Sequence, residues 1–524
     1  MTHLSCDVVV IGSGAAGATI AATIAERSSL STVLLEKGGY YGAEFFNQRE
    51  LDMMRLLADR GGRATSDGAI PVAGGECVGG GTTVNYALSF EPIPQVWQTW
   101  REHYGLNGFS LDPTVSDYGI EGLNLASALS EVKARCNVHE PADEEINDNN
   151  RLFATACRRL GISVNKFHLN MHGCVGCGFC GQGCAYDAKR GTLVTYVPDA
   201  LSRGVRLVHH CTVDKVALEA STNGPRAIGI TGTIVPTSPG SRSNSVASGP
   251  ITIDAKLVIV SAGAIESPAL LQRSGVPDPH DLLGRGLILH PSLPIAGVFD
   301  RNVTNYRGIT GSYYSDYFYA EKGFMLECLF DHPIDAAIAL PGFGIAHFET
   351  MRNYSRLAGF GAMLVDTVSS QNRVSWDPQA GRTEIAYRLA DADKERLRYA
   401  AERMVEIMFA AGAGEAILTT DEPITPRGDG RFLNLAEATS CRKLQFVPNQ
   451  TLVSSAHAQA SVKMSEDSRL GAIDSRGELR GVHGLVVCDS SAFPTSCGAN
   501  PMLAIMSMAR YQARRIVAEW SRYR

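Results

Sequence analysis

The sequence lacks a long apolar run and an excess of positive charge. Its longest apolar stretches are pieces such as Leu257 to Ala264, far shorter than the roughly 20 residues that cross a bilayer. The formal net charge of -6 gives no electrostatic surface for nucleic acid or an anionic membrane. We therefore expect neither a transmembrane segment nor a nucleic-acid partner.

Internal repeats and room for a signal peptide are also missing, since the first predicted strand begins almost at Met1. We therefore expect a cytoplasmic protein. Thirteen cysteines are a high and odd count for that compartment. In a reducing compartment, such a count favours metal or catalytic roles over a disulfide framework.

The length and composition indicate a soluble globular protein of more than one domain. The chain of 524 residues is too long for one simple core. Its 44% hydrophobic and 19% charged residues exclude a disordered chain.

The strongest pattern lies in the first forty residues. Residues 7–11 are a short run of mostly β-branched apolar residues, which predicts a buried strand, and residues 18–27 predict a helix. Between them stands Gly12-x-Gly14-x-x-Gly17. In such a motif the first glycine makes a tight turn, the second lets a pyrophosphate approach, and the third lets helix and strand pack closely.

The surroundings of this motif strengthen the prediction of a dinucleotide site. Ala15 and Ala16 come at the positive end of the predicted helix, where phosphates bind. Glu36 ends a second apolar strand, 19 residues after Gly17, where a carboxylate can accept hydrogen bonds from a ribose. The motif alone admits either NAD or FAD.

A second glycine-rich segment covers residues 74–85. Such a glycine density indicates backbone amides that run close to a flat or anionic group. A flexible surface loop is the alternative, but the apolar Val84, Tyr86 and Leu88 favour burial.

The middle of the chain has a different pattern. Residues 291–370 alternate as strands, residues 374–387 predict a hairpin, and residues 397–411 predict a helix with Gly412 as its stop. We expect an antiparallel sheet carrying helices, placed between two parts of a nucleotide-binding domain.

Several local predictions concern the remaining segments. Residues 50–60 predict a helix, and residues 110–150 predict an acidic loop. Residues 228–235 and 251–253 predict a hairpin, and residues 257–260 predict a separate buried strand.

Four cysteines have the spacing Cys174-x-x-Cys177-x-x-Cys180-x-x-x-Cys184. This is the ferredoxin-type spacing that predicts an iron–sulfur cluster, [4Fe-4S] or [3Fe-4S]. The spacing alone does not show that all four bind one cluster. A zinc site would separate two pairs by a longer loop. The alternative is a set of reduced or locally bridged cysteines that brace a glycine-rich loop.

Four ordered stretches together resemble the glucose–methanol–choline oxidoreductase family of FAD enzymes. The first forty residues are similar to its FAD-binding start, and residues 79–85 are similar to its first signature. Residues 263–276 resemble the second signature, with Pro277 where glycine is usual. Residues 489–501 resemble its C-terminal flavin and active-site segment.

The resemblance implies an α/β fold in which a discontinuous Rossmann-like FAD-binding domain joins an α+β substrate domain built on an antiparallel sheet. The FAD-binding domain is expected at residues 1–100, 170–290 and 441–524, and the substrate domain at residues 101–169 and 291–440. FAD is expected to be non-covalent, because Val84 stands where some members attach it through histidine.

The resemblance also implies which residues contact FAD. The expected residues are Gly12, Gly14, Ala15, Ala16, Gly17, Glu36, Gly80, Gly81, Thr82, Asn85, Val213, Ala262, Asp489, Pro501 and Met502.

His457 and Asn500 are the expected catalytic residues. Oxidation of an alcohol moves a hydride to the flavin and a proton to a base, for which histidine is suited near neutral pH. His457 precedes Met464 by seven residues, the spacing of the family's catalytic histidine. The alternative is a satisfied interior histidine. This chain has Ala460-Ser461 where the family usually has Gly-Thr. His290 is a weaker candidate for a catalytic residue, and we expect it to have a structural role or to lie at the edge of the pocket.

Within the family, residues 177–184, 189–200, 289–291 and 455–457 resemble the long-chain alcohol oxidase branch. The resemblance implies an apolar alcohol substrate, with electrons passed to oxygen or, through a cluster, to an acceptor protein. A flavin-containing lyase or photodecarboxylase of the same fold is one alternative. An electron-transfer subunit of a dehydrogenase complex is another.

Overall fold

The computed structural model describes residues 2–58, 62–222, 224–329 and 332–524. Its strands in chain order are β1 (Thr2–Ile11), β2 (Thr32–Leu35), β3 (Val138–His139), β4 (Asn165–Lys166), β5 (Leu169–Asn170), β6 (Arg206–Val208), β7 (Cys211–Glu219), β8 (Arg226–Ile234), β9 (Gly249–Val260), β10 (Ser292–Val298), β11 (Tyr313–Ser315), β12 (Phe324–Glu327), β13 (Leu357–Leu364), β14 (Arg373–Asp377), β15 (Arg382–Ala386), β16 (Glu415–Leu418), β17 (Arg431–Phe432) and β18 (Leu485–Val487).

Its α-helices in chain order are α1 (Ala15–Arg27), α2 (Glu50–Leu57), α3 (Gly81–Val84), α4 (Pro94–His103), α5 (Leu125–Arg135), α6 (Asp148–Arg159), α7 (Tyr196–Ser202), α8 (Gly263–Arg273), α9 (Tyr319–Lys322), α10 (Pro333–Ala339), α11 (Gly344–Arg352), α12 (Asp391–Ala410) and α13 (Met502–Ala518). Within the described residues, none of these helices combines the length and apolar character needed to span a membrane.

The first sheet has the order β6-β2-β1-β9-β8-β7, with β18 paired to β9. The strands β6, β2, β1, β9 and β18 run parallel, and β7 and β8 pair in antiparallel fashion. The last four residues of β1 and all of β2 are buried, as expected for a parallel sheet covered on both faces.

The carboxyl ends of the parallel strands meet at one edge of this sheet. Gly12 follows β1, Glu36 follows β2, Ser261 follows β9, and Asp489 comes two residues after β18. In open parallel sheets this edge is where ligands bind.

Strand β9 corrects the prediction of two separate strands at residues 251–253 and 257–260. It is one strand of twelve residues. Its first half alternates between buried and exposed residues because Asp254 and Lys256 point to the open side, whereas its last four residues are all buried. The change of pattern marks a change of surroundings within one strand. The predicted hairpin with β8 is present.

The second sheet has the order β17-β16-β10-β13-β12-β11-β4, and all its pairs are antiparallel. Helix α12 packs across β10, β13 and β16 with a buried face that includes Leu397 and Met404. The hairpin β14–β15 forms its own small sheet beside α8. The structure thus has the predicted α/β fold class, with a parallel, Rossmann-like sheet and an antiparallel sheet carrying a helix.

The prediction of a loop over residues 110–150 is wrong, because the segment contains helix α5. Asn124 caps this helix, since its side chain accepts a hydrogen bond from Ser127 N at 2.7 Å. Leu125, Ala128 and Val132 form its buried face. Helix α2 ends at Leu57, and the end of the predicted helix over residues 50–60 lies partly outside the described residues.

Candidate active site

A cavity of about 1210 Å³ opens at the carboxyl edge of the parallel sheet. Its volume exceeds the roughly 300–1,000 Å³ of ordinary ligand pockets, as an extended dinucleotide requires. The expected FAD residues that line it are Gly12, Gly14, Ala15, Ala16, Glu36, Gly80, Gly81, Val213, Ala262 and Asp489. The expected residues outside its lining are Gly17, Thr82, Asn85, Pro501 and Met502.

The glycines of the first motif allow β1, α1 and the glycine loop to approach closely. Gly12 has φ +101°, and a Cβ there would lie 2.3 Å from the carbonyl oxygen of Ser261. A Cβ on Gly17 would lie 1.8 Å from the carbonyl oxygen of Gly12. Gly14 faces Gly80 across the cavity edge, with 3.8 Å between a Cβ on Gly14 and the Cα of Gly80.

Glu36 is buried and joins both glycine-rich segments through Ser13. Its Oε2 accepts hydrogen bonds from the backbone N–H and hydroxyl of Ser13 at 3.1 and 2.6 Å. Gly79 N donates to the same hydroxyl at 3.1 Å, and Gly38 N donates to Glu36 Oε1 at 2.9 Å. Burial raises the pKa of Glu36, and the bond from Ser13 opposes that shift. The sequence analysis did not assign a role to Ser13, although a hydroxyl side chain between Gly12 and Gly14 could have indicated one.

Asp489 connects the C-terminal segment to the start of α8. Its Oδ2 accepts from Gly263 N at 2.9 Å and from the Ser267 hydroxyl at 2.6 Å, and its Oδ1 accepts from Ser491 N at 2.7 Å. Burial raises its pKa, and these bonds oppose the shift. The carboxyl group therefore fixes one wall of the cavity.

The side chains of Thr82 and Asn85 are engaged with the protein itself. The Thr82 hydroxyl donates to Gly79 O at 2.7 Å and lies 2.9 Å from the Thr192 hydroxyl. Asn85 Nδ2 donates to Met502 Sδ at 3.1 Å. This contact brings the end of the glycine loop to the start of α13.

Lys189 lies buried between the glycine loop and the cysteine segment. Its Nζ donates to the carbonyl oxygens of Thr83, Asn85 and Cys180 at 2.7, 2.7 and 2.6 Å. Burial lowers the pKa of Lys189 to about 8. Sequence reasoning gave this lysine no role beyond the resemblance of its segment.

His457 is half-buried, and its neighbours Ala456 and Ala458 line the cavity. Burial lowers the pKa of its imidazole to about 4, so the ring is neutral at physiological pH. Within the part of the chain that the structure describes, neither ring nitrogen has a hydrogen-bond partner. A neutral ring of this kind is able to accept a proton.

His290 lies directly beside His457 and is fully buried. The two rings meet edge to face with centroids 5.4 Å apart. His290 Nε2 lies 2.5 Å from the Ser496 hydroxyl and 3.2 Å from Gln459 Nε2. Burial, with a contribution from His457, lowers the pKa of His290 well below its usual value.

The backbone at His290 is held by a buried carboxyl group. His290 has φ +52°, a left-handed conformation. Asp366 accepts from the backbone N–H groups of Leu289 and His290 at 3.0 Å each, and the Tyr387 hydroxyl donates to Asp366 Oδ2 at 2.6 Å. Burial raises the pKa of Asp366 to about 6, although these bonds oppose the shift. Sequence reasoning identified neither Asp366 nor Tyr387.

Asn500 is buried against a carboxyl group from the antiparallel sheet. Its Nδ2 donates to Glu327 Oε2 at 3.4 Å. Asn500 Oδ1 and Glu327 Oε1 are both buried and have no partner within residues 2–58, 62–222, 224–329 and 332–524. Burial raises the pKa of Glu327 to about 7. In the sequence, the position of Glu327 as the single acidic residue of the apolar segment Phe324–Glu327 is the feature that could have indicated its role.

Ala460 keeps a backbone path typical of glycine. Its φ is +64°, and its N–H donates to Ser490 O at 3.0 Å. The Ser461 hydroxyl donates to Ala264 O at 2.6 Å. Ala460 and Ser461, which replace the usual Gly-Thr of the family, therefore connect this segment by hydrogen bonds to Ser490 and to α8.

The four cysteines with ferredoxin-type spacing are free thiols. Among the described residues, no three His, Cys, Asp or Glu side chains form a group that could hold a metal ion. Burial raises the pKa of Cys180 to about 12, and that of Cys174 above its usual value. The positions of these side chains therefore give no support to the predicted iron–sulfur cluster.

Comparison with known proteins identifies the family. The GMC oxidoreductase models match residues 6–292 and 368–509. A GMC-type oxidoreductase of Mycobacterium tuberculosis (strain CDC 1551 / Oshkosh) is 31% identical over 522 residues, covering 98% of this chain and 76% of that protein. Long-chain-alcohol oxidase FAO4B of Arabidopsis thaliana is 28% identical over 546 residues, covering 98% of this chain and 68% of that protein.

Solved structures share the fold. Formate oxidase superposes with a TM-score of 0.71 at 14% identity, over 100% of both chains. Pyridoxine 4-oxidase from Mesorbium loti superposes with a TM-score of 0.65 at 18% identity, over 97% of this chain and 99% of that one. Together with the family models, which match more than half of the sequence, these results show that the chain belongs to the GMC oxidoreductase family.

Proposed function

We propose that this protein oxidises the CH–OH group of an alcohol to a carbonyl with FAD as cofactor. The observation that carries the proposal is the contact between His457 and His290 beside the cavity at the sheet edge, where Ala456 and Ala458 belong to the lining. His457 is linked to His290 by their ring contact, and His290 to the segment before Asn500 by the Ser496 hydroxyl. A neutral imidazole and an amide meet the two needs of an alcohol group, a base and a hydrogen-bond donor.

The residues at the cavity fit FAD. The turn at Gly14 and the amino end of α1 suit the pyrophosphate, and the Glu36 carboxyl group suits a ribose hydroxyl. Asn85 and Met502, joined by a hydrogen bond, are assigned to the flavin end. Bound FAD supplies the hydride acceptor. Val84 offers no atom for a covalent link, so we assign a non-covalent cofactor.

The chain's own residues then have separate roles. His457 accepts the hydroxyl proton of the alcohol at a ring nitrogen that has no hydrogen-bond partner among the described residues. Asn500 donates a hydrogen bond from Nδ2 to the substrate oxygen, because an amide does not compete as a base. His290, buried and neutral, packs against His457 and limits its movement.

We assign an apolar alcohol as substrate and oxygen as electron acceptor. Met325, Met363 and Ala499 form a buried apolar cluster, in which Met325 lies two residues before Glu327 and Ala499 directly precedes Asn500. The likeness to long-chain-alcohol oxidases supports both assignments. The cysteine segment is left out of the electron path, because its thiols do not form a metal-holding group.

We also infer the domain organisation from the two sheets. The parallel sheet takes strands from residues 2–35, 206–260 and 485–487, and the antiparallel sheet takes strands from residues 165–166 and 292–432. These ranges support an FAD-binding domain of residues 1–100, 170–290 and 441–524 and a substrate domain of residues 101–169 and 291–440.

The decisive experiment is anaerobic mixing of the FAD-loaded protein with a series of alcohols while flavin absorbance is followed. The expected result is bleaching by apolar alcohols. His457→Ala should keep bound FAD but slow bleaching about 10²- to 10⁴-fold, the usual loss for a general base. The exposed His139→Ala is the matched control. Flavin that stays oxidised with every alcohol would favour a lyase, and an unaffected His457→Ala would remove this residue from the mechanism.

The iron–sulfur prediction has its own test. Iron and sulfide are measured in protein purified without air, and the reduced sample is examined by low-temperature EPR. Stoichiometric iron with a cluster signal would show that the four thiols rearrange around iron, and would make an acceptor protein the electron acceptor.

A further inference from the structure

Glu327 is a buried carboxyl group with no cationic partner in the part of the chain that the structure describes. It ends β12, and its neighbours in register are Tyr314 on β11 and Gly361 on β13. Burial and the bond from Asn500 are the influences on its pKa, with no charged side chain among them. Burying an unpaired carboxylate is costly, so such a group is normally neutral or hydrogen-bonded on both oxygens.

The unpartnered atoms show what is missing at this pair. Asn500 Nδ2 already donates to Glu327 Oε2, whereas Asn500 Oδ1 and Glu327 Oε1 have no partner within the described ranges. Two acceptors cannot satisfy each other. A proton on Glu327 Oε1 would turn that atom into a donor, and Asn500 Oδ1 is the unpartnered acceptor on the side chain to which Glu327 is already hydrogen-bonded.

We propose that Glu327 is a positioning residue, which pairs with the Asn500 amide as a carboxylic acid and fixes the direction in which that amide donates. The inference rests on the proposed role of Asn500 in binding the substrate oxygen. The amide nitrogen carries two hydrogens. One is used by Glu327 Oε2, and the other is left for the substrate. Without the pair, the amide can rotate and present its oxygen to the substrate oxygen, which repels it.

The raised pKa agrees with this arrangement. Burial moves the pKa of Glu327 to about 7, so the acid form is well populated at neutral pH. Tyr314 is the titratable group opposite Glu327 on β11, and burial raises its pKa, so it is neutral as well.

The kinetic test is a double-mutant cycle on alcohol-dependent flavin reduction. Glu327→Leu should slow reduction about 10- to 100-fold, somewhat less than the 10²- to 10³-fold loss of a complete oxyanion donor. Glu327→Gln should stay within about threefold of wild type, because an amide can form the same two hydrogen bonds. In an Asn500→Ala background, Glu327→Leu should have no further effect, since nothing is left to orient.

Two kinetic results would overturn the proposal. One is an equal loss from Glu327→Leu with and without Asn500. The other is a Glu327→Gln variant as slow as Glu327→Leu. Bound FAD and the melting temperature are measured in every variant to separate misfolding from misorientation.

An infrared measurement tests the pair without any substrate. The difference spectrum between wild type and Glu327→Gln, both loaded with FAD at pH 6, should contain the C=O stretch of a protonated carboxylic acid. This band should shift in Asn500→Ala, which removes the hydrogen-bond partner. Its absence at pH 6 would overturn the proposal even if alcohol oxidation holds. A band that shifts as expected would support the pair even if no alcohol reduces the flavin.

Discussion

The imidazole rings of His290 and His457 meet edge to face with their centroids 5.4 Å apart. Both rings lie where burial lowers the pKa, and a proton on one would repel a proton on the other. The pair is therefore neutral at physiological pH. Ala456 and Ala458, on either side of His457, line the cavity. The His457 ring has no hydrogen-bond partner among the described residues, so it is the ring assigned as the base.

This relationship predicts the pH dependence of alcohol oxidation. The pKa of His457 is about 4, so on the acid side of the pH profile kcat/KM should fall as the pH approaches 4, where protonation removes the base. No loss is expected near pH 6.5, where an exposed histidine titrates. Steady-state kinetics from pH 3.5 to 8 measure this profile. A Glu327→Gln variant serves as control, because Glu327 cannot contribute to its profile.

Tyr387 supports the same histidine pair from a distance. Its hydroxyl donates to Asp366, which in turn holds the backbone of His290 in the left-handed region. Tyr387→Phe removes a donor to a buried carboxyl group, at a cost of about 1.5–3 kcal/mol in the free energy of unfolding. We expect a lower melting temperature and slower flavin reduction. Tyr317→Phe, at an exposed tyrosine, should change neither.

The contacts of Lys189 indicate that the cysteine segment contributes to cofactor binding through the glycine loop. Its ammonium group donates to three carbonyl oxygens, two of them in the glycine loop. Lys189→Met leaves these buried acceptors without their donor, and each loss costs about 1–3 kcal/mol. We expect the variant to bind FAD more weakly than wild type, which is measured as the free flavin released on dilution. Lys443→Met, at an exposed lysine outside the cavity lining, is the control. Unchanged FAD release from Lys189→Met would contradict the role given to Lys189.

The parts of the site that could be predicted from the sequence are those that depend on a single short segment of the chain. The turn at Gly12 and the acid at Glu36 follow from local strand, glycine and helix patterns. Asp366 and Glu327 were not predicted, because each reaches the site through the pairing of the antiparallel sheet. A lone acid in an apolar strand does not reveal which distant segment it will face. The cysteine spacing, in contrast, matches a ferredoxin-type motif, but a spacing along the chain does not determine where the four thiols lie in space.

Glu327 also predicts how stability changes with pH. Its pKa is about 7 in the folded protein and near 4.5 in the unfolded chain. Between these values the folded state binds more protons than the unfolded state, so the free energy of unfolding falls as the pH rises. Over this interval the change amounts to about 3 kcal/mol, at 1.36 kcal/mol for each pKa unit. The contribution is fully present below pH 4.5 and lost above pH 7.

Glu327→Gln isolates this contribution because an amide does not titrate. Relative to wild type, the variant should gain stability steadily from pH 4.5 to 7, when both are unfolded chemically with FAD removed. Glu327→Leu should show the same loss of slope at a different absolute stability, since it also lacks the ionisable group. Parallel stability curves for wild type and both variants would mean that Glu327 titrates normally, and that its carboxyl group is reached by water in the folded protein.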